Sequence, residues 1–228
     1  IDENNCKNFR EKFAKPVFQS INELCIKHKP DVFVIASPTK THNEIFHEII
    51  NYSPDCIILE KPIATNAEEA FSMYEAAKEN NCMVLVNYSR RFNDSINNLK
   101  GIISGGQFGK ILKGTVWYTK GIVENGTHFI DLLQYLLGDA TNVEILNPGR
   151  YYNDVDPEPD ICITFEDSII YFLSGKEENF CMGQFELVGE NGLIFYRDDN
   201  PIKIYFSEDD PVYDGYRVIK KQDDIINF

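Results

Sequence analysis

Two residues in this 228-residue chain stand where packing alone does not account for their chemistry. Lys61 follows Glu60 and precedes Pro62, directly after the apolar run Cys56-Ile57-Ile58-Leu59. An ammonium at the end of a buried strand cannot belong to the core. A partly desolvated lysine there orients a hydroxyl or influences a neighbouring base. The competing reading is a surface salt bridge, and residue type alone leaves the two even. His128 opens an apolar-periodic stretch within Glu124-Asn125-Gly126-Thr127-His128-Phe129-Ile130-Asp131. A histidine at a helix start is more often a cap or a packing residue, but imidazole is also the side chain suited to exchanging a proton near neutrality. Glu124 precedes Gly126 and the expected helix start, so it need not share a face with His128. If the chain turns inward there, its carboxylate supports the imidazole. His28 and His47 read as solvated.

Other chemistries lack their residues. Gly101-x3-Gly105-Gly106-x2-Gly109 is the only glycine cluster. A dinucleotide fingerprint follows a strand and opens a helix, whereas this cluster follows a helix and precedes a strand, so it reads as a turn between domains. Gly-x-Ser-x-Gly and a phosphate-binding Gly-Lys-Ser/Thr loop are both absent, which removes the standard hydrolase and kinase readings. Six dispersed cysteines without a Cys-x-x-Cys pair, beside four histidines, argue against a zinc cluster and for reduced thiols in a cytoplasmic protein. Asn-x-Ser/Thr matches at Asn51, Asn87, Asn93 and Asn125 read as chance in an Asn-rich chain.

The elements that must position Lys61 and His128 follow from periodicity. Asp31–Ala36, Cys56–Leu59 and Cys82–Asn87 are short apolar runs, the pattern of strands covered on both faces. Between them lie helical stretches, one N-capped by Thr41 with Glu44 completing a capping box, and one over Asn66–Asn80 capped by Thr65 or Asn66. Alternation of this kind specifies a parallel sheet, whose ligand sits outside the carboxyl ends of the strands. Those ends lead into Ser37-Pro38-Thr39, Glu60-Lys61-Pro62 and Tyr88-Ser89-Arg90-Arg91. After residue 93 a helix near 95–104, a strand at 111–120 and an amphipathic helix at 127–137 lead into strands at 142–146, 161–165, 169–174, 184–188, 193–196 and 202–206. Pro148–Asp160 reads as a long loop. The expected architecture is thus α/β with a parallel sheet over 1–93, then an α+β domain with a mostly antiparallel open sheet over 94–228.

Composition narrows the partners. The chain is 43% hydrophobic with a formal charge of −14, so it is globular and repels phosphate backbones, and nucleic acid is not expected. Residues 1–96 carry net −3 and residues 97–228 net −11, so the first part better tolerates an anionic ligand. No apolar run approaches the roughly 20 residues of a membrane span, and no membrane partner is expected.

Taken in order, Asp31–Ile35, Ser37-Pro38-x3-His42, Glu60-Lys61-Pro62, Asn87-Tyr88-x-Arg90-Arg91-Phe92 and Gly126-x-His128-x2-Asp131 resemble the glucose–fructose oxidoreductase/inositol dehydrogenase (Gfo/Idh/MocA) family. Phe185-Glu186-Leu187-Val188-Gly189-x2-Gly192 resembles that family's later sheet motif. The resemblance implies a Rossmann domain binding NAD, with NADP as the alternative coenzyme, and a second domain that builds the substrate pocket and forms a homo-oligomer through its sheet. It implies hydride transfer between nicotinamide and a sugar-like or nucleotide-sugar carbinol, Lys61 orienting the reacting oxygen and His128 acting as acid/base. Asp2, Ser37, Pro38, Thr39, His42, Glu60 and Lys61 would bind the cofactor. Lys61, Arg91, Tyr118, Glu124, Asn125 and His128 would contact substrate, and no metal is implied. Ile1-Asp2 looks like the end of the family's second strand, so the first strand and glycine loop would lie upstream of this sequence. Glu124 stands where many members have Asp, a variant resembling a subgroup associated with polysaccharide or surface-glycan sugars. A catalytically inactive member serving as a scaffold, and a member cleaving glycosides through transient oxidation, are the competing readings.

Overall fold

Val32–Ile35 (β1), Cys56–Leu59 (β2) and Met83–Val86 (β3) form a parallel sheet in that order, each pair in register residue by residue. The computed structural model of the chain describes residues 3–166, 168–198 and 200–220. Helices Glu3–Phe13 (α1) and Ile21–His28 (α2) precede the sheet, and His42–Ile50 (α3) and Ala67–Glu79 (α4) connect its strands. Phe33, Ile35, Ile57 and Leu59 point to one face and pack with Phe46, Ile49, Met73 and Ala77 of α3 and α4. The opposite face is open, with Val34 64% and Met83 66% exposed. The expectation of strands covered on both faces is therefore corrected: the described helices supply apolar residues to one face only.

Two caps are instructive. Asn66 caps α4, accepting from the Glu69 N–H, while Glu69 reaches back to the Thr65 N–H and hydroxyl. Thr41 does not cap α3. A 3₁₀ turn at Thr39–Thr41 precedes that helix, and the Thr41 hydroxyl turns back to Ser37 Oγ and the Pro38 carbonyl, each at 2.7 Å.

The chain divides into two units between Asn87 and Tyr88. The sequence placed that divide after residue 93. A 3₁₀ turn at Ser89–Phe92 and the helix Asp94–Ser104 (α5) open the second unit. Then come Ile111–Tyr118 (β4), a π-helical turn at Gly121–Gly126, Thr127–Leu137 (α6), Ala140–Tyr151 (β5), Pro157–Phe165 (β6), Ser168–Ser174 (β7), Gly183–Gly189 (β8), Gly192–Arg197 (β9), Asn200–Asp209 (β10) and Arg217–Ile219 (β11). The glycine cluster at 101–109 links α5 to β4, so it is a turn inside this unit rather than between domains.

The eight strands are ordered β11-β10-β9-β8-β4-β7-β6-β5, with β4 and β7 parallel and the remaining pairs antiparallel. One sheet face packs under α5 and α6 through Ile96, Leu99, Phe129, Leu132, Leu133 and Leu136 against Val116, Ile163, Phe172 and Phe185. The expected long loop over 148–160 is corrected. Most of it is the paired end of β5 and the start of β6, with only a short turn between. Pro and Gly mimic loop chemistry here, but β5 is an edge strand, where a missing N–H breaks no ladder bond. Gly149 has φ +67°, a bulge conformation that side chains resist.

Candidate active site

In the first unit the carboxyl edge of the parallel sheet gathers three short segments. The ladder continues past the strands through Glu60 N–H to Ile35 carbonyl (2.9 Å) and Asn87 N–H to Leu59 carbonyl (2.7 Å). Ser37, Pro38 and Thr39 leave β1 there, Glu60 and Lys61 leave β2, and Asn87 leaves β3. The Asn87 side-chain amide donates to Glu60 Oε1 at 2.8 Å, tying two of these ends together. Lys61 is half-buried and leads through a cis peptide into Pro62.

His42 lies behind this edge rather than on it. It is fully buried, with Nε2 at 2.9 Å from the Ser37 carbonyl and Nδ1 at 3.2 Å from the Ile63 carbonyl. A neutral imidazole has one N–H and donates to one of these at a time. The ring thus holds the loops after β1 and β2 rather than facing a ligand. His47 is half-buried, with Nε2 3.1 Å from Ser72 Oγ, so it bridges α3 to α4 instead of standing in solvent. Asp2 lies outside the described residues.

In the second unit His128 sits in the first turn of α6, half-buried, with the Tyr88 ring edge-on at 5.9 Å between centroids. Burial, and then the negative charge of Asp131, push the Tyr88 phenol above its usual range. Glu124 is not outside the helical path, as its place before Gly126 suggested. The turn Gly121–Gly126 runs directly into α6, with the Thr127 N–H bonded to the Ile122 carbonyl five residues back. In so wide a turn, residues four apart return to nearly one face. Glu124 is exposed.

Three residues expected to touch substrate are otherwise engaged. Tyr118 is fully buried, and its hydroxyl donates to the Pro159 carbonyl at 2.5 Å; that expectation is overturned because β4 alternation turns it into the core. Arg91 forks onto Asp131, Nε to Oδ2 at 2.7 Å and Nη2 to Oδ1 at 2.5 Å, and its guanidinium stacks over Tyr135. Asn125 donates its side-chain amide to the Thr119 carbonyl at 2.9 Å, bracing its own turn.

Residues that the sequence reading passed over complete this unit. Asp156 and Glu158, 5% and 1% exposed, accept backbone N–H groups from the turn before His128. Their signal was the period-two spacing of Asp156, Glu158 and Asp160, which places acids on one strand face. Asp131 was visible only as a motif letter.

Residues 1–88 match the sequence model of the Gfo/Idh/MocA family, described as an oxidoreductase family with an NAD-binding Rossmann fold. The levoglucosan dehydrogenase of Pseudarthrobacter phenanthrenivorans is 32% identical over 138 residues, 50% of this chain and 35% of that protein. The scyllo-inositol 2-dehydrogenase (NAD(+)) of Bacillus subtilis is 28% identical over 158 residues, 63% of this chain and 44% of that one. The chain thus spans less than half the length of these relatives. The WlbA dehydrogenase of Bordetella pertussis, solved with NADH and UDP-GlcNAcA, shares the fold with a TM-score of 0.75 at 19% identity, over 92% of this chain and 68% of that one. Together with the Glu-Lys-Pro motif, these matches place residues 1–88 in the NAD-binding Rossmann part of the Gfo/Idh/MocA oxidoreductase family, and the rest of the chain shares the fold of the solved structures.

Proposed function

We propose that the protein is an NAD-dependent dehydrogenase moving hydride between nicotinamide and a carbinol of a sugar or nucleotide-linked sugar. The observation that carries this is Lys61 at the carboxyl edge of a parallel sheet within the segment that matches an NAD-binding family. That edge suits a nicotinamide nucleotide: Ser37, Thr39, Lys61 and the hydrogen-bonded Asn87–Glu60 pair stand on it, where open α/β sheets receive nucleotides. When bound, the nicotinamide supplies the hydride acceptor or donor. Lys61 orients the carbinol oxygen and stabilises negative charge on it. His128 takes the hydroxyl proton at a ring nitrogen, and Glu124 supports it or contacts substrate. NAD is the coenzyme in this reading, with NADP the alternative. The names of the relatives support a sugar-like substrate, and the reduced thiols suit a cytoplasmic enzyme.

The sheet face of the second unit turned away from α5 and α6 carries a cavity of about 600 Å³ lined by Thr115, Trp117, Glu186, Phe195, Lys203 and Tyr205. In this reading a second copy covers that face. No helix among the described residues is long and apolar enough to cross a membrane.

The test is steady-state turnover of the purified protein with NAD or NADP and levoglucosan, scyllo-inositol or a UDP-linked sugar acid. Lys61→Ala should lower kcat by about 100-fold or more and His128→Asn should abolish most turnover, with both variants folded. Near-normal turnover in both variants would return these residues to surface and packing roles.

A further inference from the structure

The structure assigns Asp156 and Glu158 as positioning residues that set the geometry of Glu124 and His128, a role that rests on the dehydrogenase reading above. The first N–H groups of a helical segment have no partner within it. Here two buried carboxylates take them. Glu158 Oε1 accepts from the N–H groups of Lys120 (2.9 Å) and Gly121 (3.3 Å), and Asp156 accepts from Val123 (Oδ1, 2.9 Å) and Glu124 (Oδ2, 2.8 Å). Asp156 directly precedes β6 and Glu158 is its second residue, both more than 30 residues along the chain from the turn they hold.

The fit is tight. Gly121 has φ +79°, and a Cβ there would lie 2.0 Å from Asp156 Oδ2, so the carboxylate fills the space a side chain would need. The acids are themselves fixed. Asn153 Oδ1 accepts the Asp156 N–H at 2.9 Å, and Arg150 Nε donates to Glu158 Oε2 at 2.8 Å. Glu177 and Glu178 in turn grip Arg150, whose side-chain hydrogen bond holds the Glu178 carboxyl down at about 2. Inside the turn, the Thr127 hydroxyl donates to the Val123 carbonyl at 2.7 Å, passing the placement of the clamped residues into the first turn of α6.

Charge-assisted bonds to a buried carboxylate are directional as well as strong. Four of them within the five residues 120–124 hold a π-helical turn that local propensity would not select. The acids hold this turn through hydrogen bonds to its backbone, so they act on the reaction through Glu124 and His128.

Asp156→Asn and Glu158→Gln replace one acceptor oxygen by a donor and disrupt this clamp. Asp160→Asn is the matched control, since Asp160 sits on the same strand and holds Ser174 instead. Amide exchange over residues 120–126 and turnover of NAD with scyllo-inositol or levoglucosan should be measured for all three. In the first two variants exchange should rise about 10-fold or more, and kcat should fall about 10- to 100-fold with NADH affinity within about 2-fold of the parent. Asp160→Asn should do neither, even where it lowers the melting temperature. Unchanged exchange and kcat in Asp156→Asn, or an equal loss in Asp160→Asn, would overturn the assignment. A parent protein inactive on every sugar, with a turn that opens only in the first two variants, would sink the dehydrogenase reading and leave the clamp standing.

Discussion

Breaking the Arg91–Asp131 fork should cost stability, and the size of that cost separates a structural pair from a substrate-facing arginine. The Asp131 side chain is 10% exposed and that of Arg91 38%, so the pair lies between the surface and the interior. Exposed pairs contribute roughly 0.2–1 kcal/mol, and orphaning one partner of a fully buried pair costs roughly 3–5 kcal/mol. Two parallel bonds at 2.7 and 2.5 Å, with Nη2 also 3.3 Å from the Asp131 carbonyl, favour the upper part of that interval. Solvent reaching the guanidinium pulls it back, and a coupling energy of about 2 kcal/mol results. The assay is a double-mutant cycle of Arg91→Ala, Asp131→Asn and the pair, unfolded in urea. The single tryptophan, Trp117 on β4, reports the second unit. Each single variant should melt lower by several degrees, at about 3–4 °C per kcal/mol for a unit of this size. The cycle cancels the loss of Arg91 stacking on Tyr135. Additive effects, with coupling under about 0.5 kcal/mol and a raised sugar KM in Arg91→Ala alone, would refute this account and restore Arg91 to the substrate.

Tyr118→Phe should destabilise the second unit by about 1–3 kcal/mol in urea melts, because it strands the buried Pro159 carbonyl, and it should leave KM for sugar unchanged. Burial, and then the charge of Asp198, push the Tyr196 hydroxyl up to about 12. Its folded value therefore lies above the unfolded value of roughly 10, so stability is intact below about pH 10 and lost as pH rises toward 12. After allowance for solvent around this half-buried ring the loss is about 1–2 kcal/mol, and Tyr196→Phe should flatten the decline of the urea midpoint between pH 9 and 11.5.

Elements set by local periodicity were legible in the chain itself. The alternation of short apolar runs with helical stretches predicted β1 to β3 and the helices between them, and the amphipathic period at 127–137 predicted α6 to the residue. Lys61 and His128 stood out for the same reason, because charge and imidazole at the ends of such elements violate the local pattern. What depended on distant neighbours was hidden. Tyr118 and Arg91 carry polar groups that suit a ligand, and only the packed sheet and α6 turned one into the core and paired the other with Asp131. Pro148 and Gly149 read as loop because strand pairing, not propensity, keeps them in an edge strand. The π-helical turn was beyond any local signal, since its N–H groups are satisfied by Asp156 and Glu158 from another strand. Hydrogen-bond partners of that kind are assigned by the fold, because a donor at a helix start has no local acceptor to announce it.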